Sequence, residues 1–157
     1  MEDDKKVVIE NLVHATVGIN IPDLRLNRTW EKKGAKKIIP FGVLKEAIYD
    51  PGTECLFREK TLYIEDKEVR VELGLEEADS QEEYILSDAQ KERLLKKMPA
   101  SELKITLPTL SVAQVEDLID YAVEHEVVDF DRADIIKQFT KKDIIQMIKM
   151  QREKKEV

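Results

Sequence analysis

Only one cysteine, Cys55, stands among the 157 residues, which rules out an internal disulfide framework and suits a reducing compartment. That cysteine and two histidines, His14 and His125, fall short of the four nitrogen or sulfur ligands of a structural zinc site. The triplet Glu124-His125-Glu126 does not help, because consecutive residues on a helix point in different directions. Asp129, Asp131 and Asp134 resemble the start of a calcium loop. The turn glycine and distal glutamate of that motif are missing, so these aspartates read as helix caps. There is no Gly-x-Ser-x-Gly elbow, no glycine-rich phosphate loop and no dinucleotide fingerprint. The expectation is a protein that is not an enzyme and takes no cofactor and no metal.

No stretch approaches the ~20 apolar residues that cross a bilayer. The start Met1-Glu2-Asp3-Asp4-Lys5-Lys6 leads into no long apolar segment, so neither a signal peptide nor a membrane partner is expected. The expected location is therefore a cytoplasm.

Charge is what the chain has in abundance. Charged residues make up 38% of it, against about 25% for an average globular domain. Such density means a solvated surface, many ion pairs or extensive contacts with neighbouring subunits. The net charge of −7 opposes free binding to a nucleic-acid duplex while permitting a local basic patch.

The pattern changes near residues 76–86. Before it, β-branched residues recur mostly at period two; after it, every clear pattern is helical. Glu76-Glu77-Ala78-Asp79-Ser80-Gln81-Glu82-Glu83 is acidic and aperiodic, as an exposed linker is. The expected organisation is a β-rich domain over 1–78, a linker over 79–86 and a helical domain over 87–157. The fold class is α+β: a small N-terminal antiparallel sheet with one helix, then a C-terminal bundle of four or five short helices.

In the first half, Lys6 to Val13 reads as a strand. Val17, Ile19 and Ile21 form a second, with Pro22 at an edge or bulge. Pro40 opens a short helix whose apolar face is Phe41, Leu44 and Ile48, and Asp50-Pro51-Gly52 ends it. Cys55 and Phe57 then feed the core. A hairpin is expected next, with Leu62 and Ile64 on one arm, Val69, Val71 and Leu73 on the other, and the turn at 65–68. In the second half, Ser87 precedes Gln90 by three and Ser111 precedes Gln114 by three, the spacing of a capping box. Asp131 with Asp134 and Thr140 with Asp143 suggest two further caps. Helix 111–126 carries Val115, Leu118, Ile119, Ala122 and Val123 on one face. Ile135, Ile136 and Phe139 give the next helix its face, and Ile144, Ile145 and Ile148 the last. The terminal run from Lys149 is of mixed charge and should fray or order only against a partner.

One segment stands apart. Arg25, Arg28, Lys32, Lys33, Lys36 and Lys37 lie close together against a single acid, Glu31, and the only tryptophan, Trp30, sits among them. Basic residues around an aromatic suit phosphate contact plus base stacking. They equally suit docking on an acidic protein surface, including another copy of this chain, since Trp and Arg are favoured interface anchors. A solvated loop with Trp30 tucked onto the sheet edge is the structural alternative.

Thr16-Val17-Gly18-Ile19, Ile21-Pro22-Asp23-Leu24, Arg28 to Lys37, Glu46 to Gly52, Leu62 to Asp66 and Leu73 to Glu76 together resemble small virion structural proteins of tailed bacteriophages and prophages of Firmicutes. The resemblance covers roughly the first half of the chain and some of the helical half. It implies a particle subunit such as a capsid auxiliary, vertex or connector component, made in a bacterial host and partnered by other protein subunits. A small nucleic-acid-binding or regulatory protein using segment 25–37, or a factor binding a host protein, are the alternative expectations.

Overall fold

The computed structural model describes residues 1–80 and 85–155. The chain forms two compact units, Met1–Tyr84 and Ile85–Val157. Strands and helices occupy the first and helices the second, an α+β architecture.

In the first unit, β1 (Lys6–Asn11) is the centre of a three-stranded antiparallel sheet. β4 (Lys36–Pro40) pairs with one side, Val7 opposite Ile39 and Glu10 opposite Lys36. β5 (Leu62–Ile64) pairs with the other, Ile9 opposite Ile64. β2 (Val17–Ile21) and β3 (Leu26–Trp30) make a separate antiparallel ribbon. Alternation puts Val7, Ile9 and Asn11 on the buried face of β1, and Val17 and Ile19 on that of β2. β1 stops at Asn11, while Leu12 and Val13 continue into the core outside the strand. Pro22 opens a short 3₁₀ turn, Pro22–Leu24, and Arg25 follows in the left-handed region at φ 51°.

Three helices join the sheet, where one was expected. α1 (Phe41–Ala47) buries Phe41, Leu44 and Ala47. Asp50-Pro51 does more than end α1. The Asp50 carboxylate accepts from the Thr53 N–H at 3.0 Å, and Pro51, whose missing N–H costs nothing in a first turn, starts α2 (Pro51–Arg58). Phe57 is buried and Cys55 half-buried.

The expected hairpin does not form. After β5 the chain turns into α3 (Lys67–Glu72), because the Asp66 carboxylate caps it, accepting from the Glu68 N–H at 2.9 Å. β5 pairs instead with β1, far away in sequence. Val69 and Arg70 face inward from α3, and Gly74, at φ 75°, ends it by letting the Leu75 N–H reach the Arg70 carbonyl. Nor is Glu76 part of an exposed linker: it is buried and ion-paired to Arg70. Of the expected linker, residues 81–84 lie outside the described residues, and Leu86 is buried in the helical core.

The second unit holds α4 (Asp88–Glu92), continued by a single π turn over Arg93–Lys97, then α5 (Ala100–Thr106), α6 (Val112–Glu124), α7 (Phe130–Thr140) and α8 (Ile144–Lys155). Both capping boxes form: Ser87 and Gln90 exchange hydrogen bonds at the start of α4, and Ser111 and Gln114 at the start of α6. The other two caps sit elsewhere than expected. Asp129, extended at φ −94° and ψ 170°, caps α7 in place of Asp131. Asp143 accepts from the Gln146 N–H to cap α8, while Thr140 bonds back to the Ile136 carbonyl as the last residue of α7. The core packs Leu95, Leu103, Leu107, Leu118, Ile119, Ile136 and Ile144. Phe139 does not join it; α7 turns Ala133 and Ile136 inward and leaves Phe139 48% exposed. As far as Lys155 the terminal run is part of α8 and is tied back to the unit. Gln151 donates to the Val123 carbonyl, and Arg152 grips the Glu126 carboxylate with two bonds of 2.8 and 3.0 Å.

Candidate interaction surface

The basic segment is built around Trp30, and Trp30 is wholly buried. Its indole N–H donates to the Ile9 carbonyl at 2.9 Å, joining the end of β3 to the central strand. A ring in that position offers no face to a base or to a partner protein. It fixes the segment from inside.

Asn11 fixes the next part. Fully buried, it donates from Nδ2 to the Ala15 and Lys32 carbonyls at 2.8 and 3.2 Å and accepts the Val13 N–H on Oδ1. Its backbone receives the Gly34 N–H and donates to the Ala35 carbonyl. The loop 31–35 is thus pinned onto β1, with Gly34 at φ 87° supplying the turn that a side chain would strain. Period-two alternation already places Asn11 on the face of Val7 and Ile9, and that was the available signal for a buried amide needing partners.

Some of the basic residues are already used. Arg28 donates to the Ile38 and Asn27 carbonyls. Lys36 pairs with Glu65 at 2.8 Å and reaches Glu10 at 3.7 Å; the Glu65 hydrogen bond above all raises its pKa, against an opposing effect of burial. Lys33 is half-buried and engaged within the chain. Arg25, Lys32 and Lys37 have exposed side chains. They are strung out along the backbone, since the five residues of β3 between Arg25 and Lys32 span roughly 17 Å. Trp30 thus lies beneath the segment, and the exposed cations Arg25 and Lys32 stand at opposite ends of β3. The Trp30 ring does not stand beside these cations as an open stacking face.

Elsewhere, His125 ends α6 with its ring 4.4 Å from that of Tyr121. Asp129 serves α7 as a cap, and Asp134 accepts from the Gln138 amide. Among the described residues no group of three or more His, Cys, Asp or Glu converges as a metal site would require, and no helix is long and apolar enough to cross a membrane.

A second surface, in the helical unit, was not anticipated. Ile105 is 74% exposed, Val112 60%, Phe130 74% and Phe139 48%. Phe139 lines two adjacent hollows, one reaching Leu107 and Ile135, the other Leu110 and Ile119. Sequence reading assigned Phe139 to the core because it falls three residues after Ile136, on the same side of an ideal helix as Ile135.

No protein-family model matches the chain, and no curated protein or solved structure is similar to it.

Proposed function

We propose that the chain is a non-enzymatic interaction subunit, of the kind that assembles into a bacteriophage particle after synthesis in the host cytoplasm. The observation that carries this reading is the set of large apolar side chains left on the helical unit. Single exposed apolar residues are ordinary, but aromatic and aliphatic side chains gathered beside hollows mark surfaces that meet another protein. Phe139 with Val112 beside it is such a feature, and Phe130, 74% exposed at the other end of α7, is a second large apolar side chain left outside the core. Dense surface charge supports the same reading, because charge sets orientation and excludes wrong partners when surfaces meet. The resemblance of the first half to virion structural proteins supplies the type of assembly.

The buried position of Trp30 weighs against the nucleic-acid reading of segment 25–37. Phosphate attraction is left without a stacking platform, on a chain of net charge −7. Arg25, Lys32 and Lys37 remain able to meet an acidic protein surface.

The experiment follows the protein in purified particles. Co-sedimentation at a fixed copy number, resistant to washing, is expected. Recovery only as free chain, absent from particles, would overturn the particle role.

A further inference from the structure

Phe130 and Phe139 stand nine residues apart on α7. At about 100° and 1.5 Å per residue, they leave opposite sides of the helix, roughly 14 Å apart along its axis. Their surroundings differ in sign. Phe130 lies between Asp129 and Asp131, with Asp134 a turn further on, all exposed, while Glu126 just before is held by Arg152. Arg132, the one Lys or Arg between Glu124 and Ile136, is turned back onto Asp129 and the Met98 carbonyl. Around Phe139 the border is basic: Lys104 lines one hollow and Lys142 the other, and Lys141 is exposed in the left-handed turn that ends α7. Glu116, the one carboxylate lining the hollows, is already engaged within the chain.

We propose that Phe130 of one copy, with its flanking aspartates, seats in the hollows beside Phe139 of the next, against Lys104, Lys141 and Lys142, so that the chain assembles head to tail. One molecule thus holds both halves of a complementary pair, an acid-bordered aromatic knob and a base-bordered apolar recess. Because the two leave opposite sides of one helix, a molecule cannot satisfy itself. Two-fold pairing of either patch with its own copy would bring like charges together, which opposes it. Head-to-tail contact by unlike patches yields a ring when the rotation closes and a filament when it does not. This names a partner for the interaction subunit proposed above and rests on that reading.

The test is sedimentation velocity of the full chain over a concentration series, with F130E and F139E alone and mixed. The wild type is expected to form species larger than a dimer. Each variant should be monomeric, its association weakened about 30-fold or more, as loss of a central aromatic anchor does. An equimolar mixture should form a dimer and nothing larger, because F139E keeps an intact knob and F130E an intact recess. Circular dichroism matching the wild type excludes unfolding, and K142E with K141E supplies a second route to the same loss. A wild type that stays monomeric, an F130E variant that still associates, or a mixture that gives no dimer would each overturn the head-to-tail contact. Such a failure leaves the subunit reading standing if the chain still appears in particles, and absence from particles leaves the self-contact standing if the mixture dimerises.

Discussion

Polar side chains are buried mainly in one unit, and large apolar side chains are exposed mainly in the other. Asn11, Thr53, Arg70 and Glu76 are buried in the first unit, while Gln114, a member of a helix cap, is the buried polar side chain described in the second. Conversely Ile85, Ile105, Val112, Phe130, Phe139 and Met150 are exposed on the helical unit, against Met1, Ile38 and Tyr49 on the first. Buried polar groups with complete hydrogen bonding specify one arrangement, since any slip leaves a donor or acceptor without a partner. An aliphatic core is less demanding about arrangement. The first unit is thus built to hold a defined shape, and the helical unit leaves more large apolar side chains at its surface.

The largest loss is expected at the buried pair Arg70 and Glu76. The Arg70 Nε meets Glu76 Oε2 at 3.2 Å, and its Nη1 donates to the Ile64 and Glu65 carbonyls at 2.5 and 3.0 Å, tying α3 to the end of β5. Glu76→Ala strands a buried guanidinium and should lower stability by about 3–5 kcal/mol in urea unfolding followed by Trp30 fluorescence. Replacing both, as R70M/E76L, should recover most of that loss. A single variant as stable as the wild type would show that the pair does not organise the unit.

In the helical unit the corresponding injury is a cavity. Leu118 is fully buried, and Leu118→Ala should cost about 2–5 kcal/mol, read by loss of helical circular dichroism in urea. A cost below about 1 kcal/mol would mean a core loose enough to collapse around the gap. A smaller effect belongs to the cap: Ser111→Ala should cost about 1 kcal/mol, and no loss would mean that the Gln114 half of the box suffices.

The smallest effect is electrostatic. Lys5 donates to Asp66 at 2.9 Å, and that bond, chiefly, holds the Asp66 carboxyl below its usual range against the opposing effect of burial. The same bond raises Lys5. A carboxyl lowered by folding contributes stability above its unfolded pKa of about 3.9, and the contribution is lost as pH falls through the folded value. The raised Lys5 contributes fully below about 10.4 and loses its contribution as pH rises through the folded value. Lys5→Met should move the Asp66 carboxyl titration upward in an NMR pH series; an unmoved titration would show that Lys5 is not its partner in solution.

Legibility in the sequence follows the same division. The caps at Ser87 and Ser111 and the face of α6 depend on residues three or four apart, so local spacing revealed them. The pairing of β5 with β1 joins residues more than fifty positions apart, and period-two spacing at Val69, Val71 and Leu73 suggested a nearer partner. That stretch is helical instead, and the Asp66 carboxylate caps its first turn. Trp30 was conspicuous among basic residues. Only the fold could show that its N–H is consumed by Ile9 and that its ring faces inward. Phe130, at the opposite extreme, drew no notice beside Asp129, Asp131 and Asp134, whose spacing resembles a metal loop.

The most direct test of this division is sedimentation velocity at one protein concentration on three chains: wild type, F139E, and R25E/K32E/K37E. If association belongs to the helical unit, F139E sediments as a monomer and the triple variant as the wild type does. Association abolished by the triple variant and untouched by F139E would contradict the account.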